Sequence, residues 1–398
     1  MTATPVVKRM ILKKFRSFPS VVVEFDNPTI LVGRNGAGKS NFADVFAFLA
    51  ESMASPLQAV FDRRGGIAAV RNRTSGHSYP PNLGLAVEFG PINSKVASGR
   101  YAFEVKALPN YGFQVVQEQC RVTFTDGKRH WFDRTRSFRS SVPGLSPSLE
   151  PASLGLPVVG GDERFAPVLR ALGAMRKYYI EPSKIREMQD PDSGLSLNPD
   201  GGNAASVLQE LSRNHRDIVV RVFEILETIV PAIKSVKSKK QGTKLTLEFV
   251  QSWGARKNLK FDAFNMSDGT LRVLGLLMAV FQSPAPSLLV IEEPEATIHP
   301  GALGAVLDLI RQAGRTMQVL ITTHSPELLD AKWIEGRHLR IVTWEEGASH
   351  ICMVSQAARE AMQQHLMGAG ELMRSNALLP KRLFDDDEDL RKGNLFEP

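Results

Sequence analysis

Four short stretches of this 398-residue chain carry residue types that handle phosphate and water. The first is "GRNGAGKS", residues 33–40, which fits the pattern G-x-x-x-x-G-K-[S/T]. The apolar run "TILV" precedes it, and Phe42, Val45, Phe46 and Leu49 follow at helical spacing. Strand, glycine loop and helix in that order form a phosphate cradle. Gly33, Gly36 and Gly38 let the backbone curl and point its N–H groups inward, and the helix adds its positive end. Lys39 would hold the β- and γ-phosphates of a nucleoside triphosphate, and Ser40 would coordinate Mg2+. Arg34, Asn35, Ala37 and Asn41 complete the candidate nucleotide-binding set. The second stretch is "SLLVIEEPEATIHP", residues 287–300. Its apolar residues Leu288 to Ile291 predict a buried strand with Glu292 and Glu293 at the carboxyl end, where open α/β sheets bind ligands. One carboxylate, Glu292, can serve Mg2+; the next, Glu293, can polarise an attacking water. In the third, "VLITTHSPELLD" (319–330), His324 ends the next predicted strand, placed to sense the γ-phosphate and hold that water. The fourth, "NMSDGTLR" (265–272), reads alone as a helix start capped by Ser267.

These groups need a scaffold that brings strand ends together. Met10 and Leu12, then Val21, Val23 and Phe25, alternate with polar residues and predict two half-buried strands joined near Phe18-Pro19. Residues 83–132 alternate again and predict an antiparallel meander. Residues 140–163 are rich in Pro, Ser and Gly and read as a mobile loop. Residues 203–230 read as helix, "KLTLEFV" and "LKFDAF" as strands, and 286–345 as strand, helix, strand, helix, strand. The class is α/β: a mixed central sheet, an antiparallel β meander and a helical lobe, without the heptad run of a coiled-coil arm. Four parts are expected: 1–185 with the glycine loop and meander, 186–285 as the helical lobe, 286–355 as the second half of the core, and 356–398 as an extension.

Charge is modest, 49 basic against 42 acidic residues, or +7, which permits contact with a polyanion without requiring it. Two segments could supply that contact by mixing cations with aromatics: 128–139, "KRHWFDRTRSFR", and the lysine-rich 234–260. A core strand face and a solvated hairpin rim explain them equally. Two distant cysteines, Cys120 and Cys352, argue against disulfides and cysteine-bound zinc. Neither a signal-peptide h-region nor an 18-residue apolar run is present, so no membrane partner and a cytoplasmic setting are expected. "FDDDEDL", 384–390, reads as a solvated acidic tail.

Taken together, "KKFRSF" (13–18), "LVGRNGAGKSN" (31–41), "YYIEPSKIR" (178–186), "MSDGTLR" (266–272), "IEEPEATIHP" (291–300), "TTHSPELLD" (322–330) and "GAGELMRSNAL" (368–378) resemble the ABC-type ATPase heads of the RecF, structural-maintenance-of-chromosomes and OLD-like group. The chain looks most like its compact bacterial AAA_21 members. That resemblance implies ATP and Mg2+, with Ser267 and Gly269 as a signature contacting the γ-phosphate of ATP held by another copy. It implies a homodimer closed head-to-tail on two ATPs, Arg16 and Ser17 near the phosphates, and a Q-loop near Glu181 to Ser183. Three positions depart from the wider ABC pattern: Asp268 replaces a glycine, Thr270 a glutamine, and Glu292 an aspartate. OLD nucleases carry a Toprim domain after the ATPase, whereas about seventy residues without a spaced acidic triad follow His324 here, so no nuclease activity of its own is expected; the resemblance implies a separately encoded effector in a defence-type system. "GAGELMRSNAL" and the acidic tail are candidate docking surfaces. A RecF-like DNA clamp and a scaffold that binds ATP with little turnover are the rival readings.

Overall fold

The computed structural model describes residues 6–72, 82–110, 112–231, 233–253, 257–381 and 393–397. In chain order its strands are β1 (Val7–Phe15), β2 (Phe18–Glu24), β3 (Thr29–Val32), β4 (Asn82–Phe89), β5 (Val96–Ala107), β6 (Phe113–Phe124), β7 (Arg129–Arg134), β8 (Phe138–Ser140), β9 (Arg176–Tyr178), β10 (Ile233–Gln241), β11 (Lys244–Trp253), β12 (Lys257–Asp262), β13 (Leu288–Glu292), β14 (Gln318–Thr323), β15 (Leu339–Glu345) and β16 (Ala348–Met353). One sheet is antiparallel, in the order β2-β1-β4-β5-β6-β7-β8. A second, mixed sheet runs β16-β15-β3-β14-β13-β9, and β10-β11-β12 form a small third.

Period-two alternation in the mixed sheet separates two cores. Leu31, Leu288, Val290 and Leu320 face the helix Lys39–Ala54 and, beyond it, the antiparallel sheet. Ile30, Val32, Leu289, Ile291, Val319 and Ile321 face the opposite way, onto the helices Ala204–Asn214, Asp268–Val280 and Pro300–Ala313. Because β3, β13 and β14 are parallel neighbours, their carboxyl ends lie side by side. The glycine loop, the glutamate pair and His324 each follow one of those ends.

Several expectations change. The first hairpin turns at Arg16-Ser17, not at Phe18-Pro19, because Phe15 pairs with Phe18 and both rings are buried. Residues 140–163 are packed. Glu118, fully buried, accepts hydrogen bonds from Tyr101 Oη (2.8 Å) and from the N–H groups of Gly155 (2.6 Å) and Leu156 (2.8 Å). Arg134 donates to the carbonyls of Glu150 and Ser153, and Leu154, Leu156 and Val159 are buried. A Pro/Ser/Gly-rich composition removes regular structure without removing contacts. The helical stretch 203–230 is two helices, Ala204–Asn214 and Arg216–Ile229, and the helix expected in "ELLDAKWI" is only Pro326–Leu329. The longest helix among the described residues has 16 residues, and none there is long and apolar enough to cross a membrane.

Candidate functional site

The glycine loop is shaped by its neighbours. A Cβ on Gly33 would lie 2.3 Å from the carbonyl oxygen of Val342 in β15. Gly38 has φ +110°, and a Cβ there would lie 2.2 Å from Ser349 Oγ. Ser349 also donates from Oγ to the Ala37 carbonyl (2.7 Å) and from N–H to the Ser17 carbonyl (2.8 Å), so β16 braces the loop from behind. Lys39, only 5% exposed, opens the helix and donates from Nζ to the carbonyls of Gly33 (2.7 Å) and Arg34 (3.0 Å). Burial pushes its pKa below the ordinary value, while the charges of Glu293, Glu295 and Glu292 oppose that shift. Arg34, Asn35, Gly36 and Ser40 remain exposed.

Glu293 sits just past β13 with φ +44°, a backbone region most side chains avoid. Two contacts hold it there: its N–H donates to the Thr322 carbonyl (3.0 Å), and its carbonyl accepts from Arg272 Nη2 (2.8 Å). Its Oε1 is 3.1 Å from His324 Nδ1. Pro294 then starts a turn, Ala296 N–H to the Glu293 carbonyl at 3.1 Å, that folds Glu295 back. Thr323 Oγ1 donates to Glu295 Oε1 (2.6 Å), whereas Oε2 has no protein partner. Burial raises the Glu295 pKa, and the neighbouring charge of Glu293 adds to the rise. Sequence reasoning missed Glu295, although a proline directly after a strand-end acid signals such a return. Glu292, 7% exposed, lies 3.0 Å from Lys177 Nζ of β9, an ion pair without a well-directed hydrogen bond.

Ser267 caps the helix Asp268–Val280, its Oγ accepting from Thr270 N–H (3.3 Å). Asp268 is neutralised: Arg186 Nη2 donates to its Oδ1 (2.5 Å) and to the Met266 carbonyl (3.0 Å). A Cβ on Gly269 would lie 2.9 Å from the Thr297 carbonyl, so this glycine is needed for packing within the chain. Among the described residues Ser267 bonds only within its own turn, and both Ser267 and Asp268 are exposed. The same helix carries Arg272, which is buried and donates to the Ile180 carbonyl (2.9 Å) as well as to Glu293. Arg16 (φ +45°) donates to Asp44 Oδ2 at 2.6 Å, and Asn41 Nδ2 to Ser17 Oγ at 2.9 Å, which fastens the first hairpin to the loop helix. Glu181 and Ser183 flank the start of the helix Pro182–Arg186; Lys177 is the residue of this segment that reaches the glutamates.

The basic segments are largely engaged internally. Phe132 is fully buried and stacks on Phe138 at 5.1 Å, and Arg121 lies over Trp131. Lys128 pairs with Asp126 and Arg134 with Glu118; Arg129, Arg136 and Arg139 stay exposed. In the second segment Lys234 pairs with Glu227, Lys239 with Glu248 and Asp262, Lys244 with Asp190, and Lys260 with Glu248. Arg256 and the acidic stretch 384–390 lie outside the described residues.

A family model described as "AAA domain, putative AbiEii toxin, Type IV TA system" matches residues 29–330, well over half of the chain. The chain belongs to the AAA_21 family. Solved structures similar to this AAA_21 protein include "Crystal structure of the SmcHead bound to the C-winged helix domain of ScpA", at 15% identity and a TM-score of 0.55, covering 90% of this chain and 99% of that one. Another is an Smc head domain with an extended coiled coil bound to the C-terminal domain of ScpA, from Pyrococcus furiosus, at 14% identity and a TM-score of 0.49, covering 91% and 99%. No curated protein matches the chain. The shared fold is that of an ABC-type P-loop ATPase head.

Proposed function

We propose that this AAA_21 protein binds ATP in the 33–41 loop, closes as a homodimer around two ATP molecules, and hydrolyses them. The observation that carries the reading is the 3.1 Å contact between Glu293 and His324, beside a buried Lys39 whose charge is balanced by three glutamates. Glu293 takes the proton of the attacking water, and His324 fixes the direction of its carboxylate. Lys39 and the loop N–H groups, of Gly36 and Gly38 among others, stabilise the charge that builds on the γ-phosphate. The exposed Ser40 hydroxyl and the Glu292 carboxylate, hard oxygen donors, would hold Mg2+, which would supply neutralisation of the phosphate charge. Ser267 and Gly269, on the surface turn, face the ATP of the second copy.

The output of this cycle is control of a separately encoded effector in a bacterial defence-type system, in the cytoplasm, with DNA as a trigger. The family's description names a Type IV TA system, and an SMC head of this fold has been solved with a separate ScpA domain bound. DNA contact falls to the exposed Arg129, Arg136 and Arg139, since Phe132 is buried against Phe138 and Arg121 covers Trp131. Steady-state ATP turnover, with and without linear duplex DNA and with Glu293→Gln as the blank, tests the reading. Turnover above the blank supports it, and stimulation by DNA supports the trigger. ATP binding with turnover equal to the blank would replace it with the scaffold reading.

A further inference from the structure

We propose that Lys177 is a built-in cation of the nucleotide site that competes with the divalent metal for Glu292. The inference rests on the reading of this site as one for a nucleotide and Mg2+. Register supplies the geometry. β9 pairs in parallel with β13, Val290 opposite Lys177, so Lys177, Val290 and Glu292 project from the same face of the sheet. That face looks onto the helix Lys39–Ala54. Lys177 Nζ reaches Glu292 Oε1 at 3.0 Å, and Lys177 also acts electrostatically on Asp44 of that helix. The Glu292 side chain is 9% exposed and that of Lys177 20%, so water screens the pair weakly.

A glutamate is one methylene longer than the aspartate of the wider ABC pattern, and here the extra reach ends at an ammonium. A single carboxylate balances one positive charge. An ammonium 3 Å from its oxygen repels a divalent ion brought to the same group. Glu292 is therefore a partner that the metal gains only when Lys177 lets go, while Ser40 and the phosphates hold the metal in either case.

The probe is Mn2+, read by the electron paramagnetic resonance of free ion in the presence of a non-hydrolysable ATP analogue. Lys177→Met is expected to tighten Mn2+ half-saturation about tenfold, and the gain is expected to vanish in a Glu292→Gln background. Unchanged or weaker Mn2+ binding in Lys177→Met would overturn the proposal. A second measurement uses the wild-type chain and needs no variant to fold. Modification of Lys177 by an amine-reactive reagent, quantified by peptide mass spectrometry, is expected to rise severalfold when Mg2+ joins the analogue. Equal modification with and without Mg2+ would also overturn it. Analogue binding with Mg2+ present separates the two readings: if no nucleotide binds there at all, the proposed function fails before this inference is reached.

Discussion

At the residue scale, the chemistry rests on a few side chains held in unusual settings. Glu293 keeps a left-handed backbone because Thr322 and Arg272 each take one of its peptide groups. Glu293→Gln should retain ATP binding and lower turnover about 10²- to 10⁴-fold, the usual worth of a general base, measured by phosphate release under saturating ATP. Asp268 makes a different prediction. Arg186 cancels its charge at a turn proposed to meet a phosphate. Arg186→Ala should weaken ATP-driven dimerisation about tenfold in analytical ultracentrifugation, and adding Asp268→Asn should restore it; no restoration would show that Arg186 acts through packing alone. The glycine loop, Glu293 and His324 were legible because each follows a short apolar strand. Glu295 and Lys177 were not. One returns to the site through a turn that only Pro294 marks, the other through sheet register, which leaves no local pattern of residues.

Elements carry the coupling between these groups. The helix Asp268–Val280 begins at the signature turn and, through Arg272, touches both the Glu293 carbonyl and the Ile180 carbonyl after β9. Arg272→Met should leave the analogue's affinity within threefold but lower kcat about tenfold, because Glu293 loses one of its two backbone restraints. The first hairpin is fastened to the loop helix by Asp44. Burial alone would raise that carboxyl's pKa, but Arg64 and Arg16 outweigh it and hold it below the ordinary 3.8. A depressed acid contributes stability that is full above the unfolded-state value and is lost as pH falls through the folded one. Thermal melts should therefore show wild type losing Tm steeply below about pH 4, with Asp44→Asn less stable at neutral pH and flatter across that acid limb. The strands of the meander and the α/β core were legible from alternation and apolar runs. The packed 140–163 segment was not, since it depends on tertiary partners such as Glu118, and neither was the break between the two helices at His215.

Over the whole molecule, two sheets clasp the loop helix, and residues 393–397 return to close the outer face of the antiparallel sheet. Leu395 is buried there against Ile11, Ala86 and Ala102, and Glu397 and Gln119 exchange two hydrogen bonds at 3.0 Å. Leu395→Ala should cost about 2 kcal/mol in denaturant unfolding, the low end for a buried leucine because the site lies at the rim. The central claim is that a complete catalytic site needs two copies, one giving the glycine loop and Glu293, the other giving Ser267 and Gly269. Mixing two inactive variants, Lys39→Ala and Ser267→Arg, tests it most directly. Half of randomly paired dimers would be mixed, each with one intact site of two, so the mixture should recover about a quarter of the wild-type ATPase rate. A mixture no more active than its separate components, while wild type turns over ATP, would contradict the shared site.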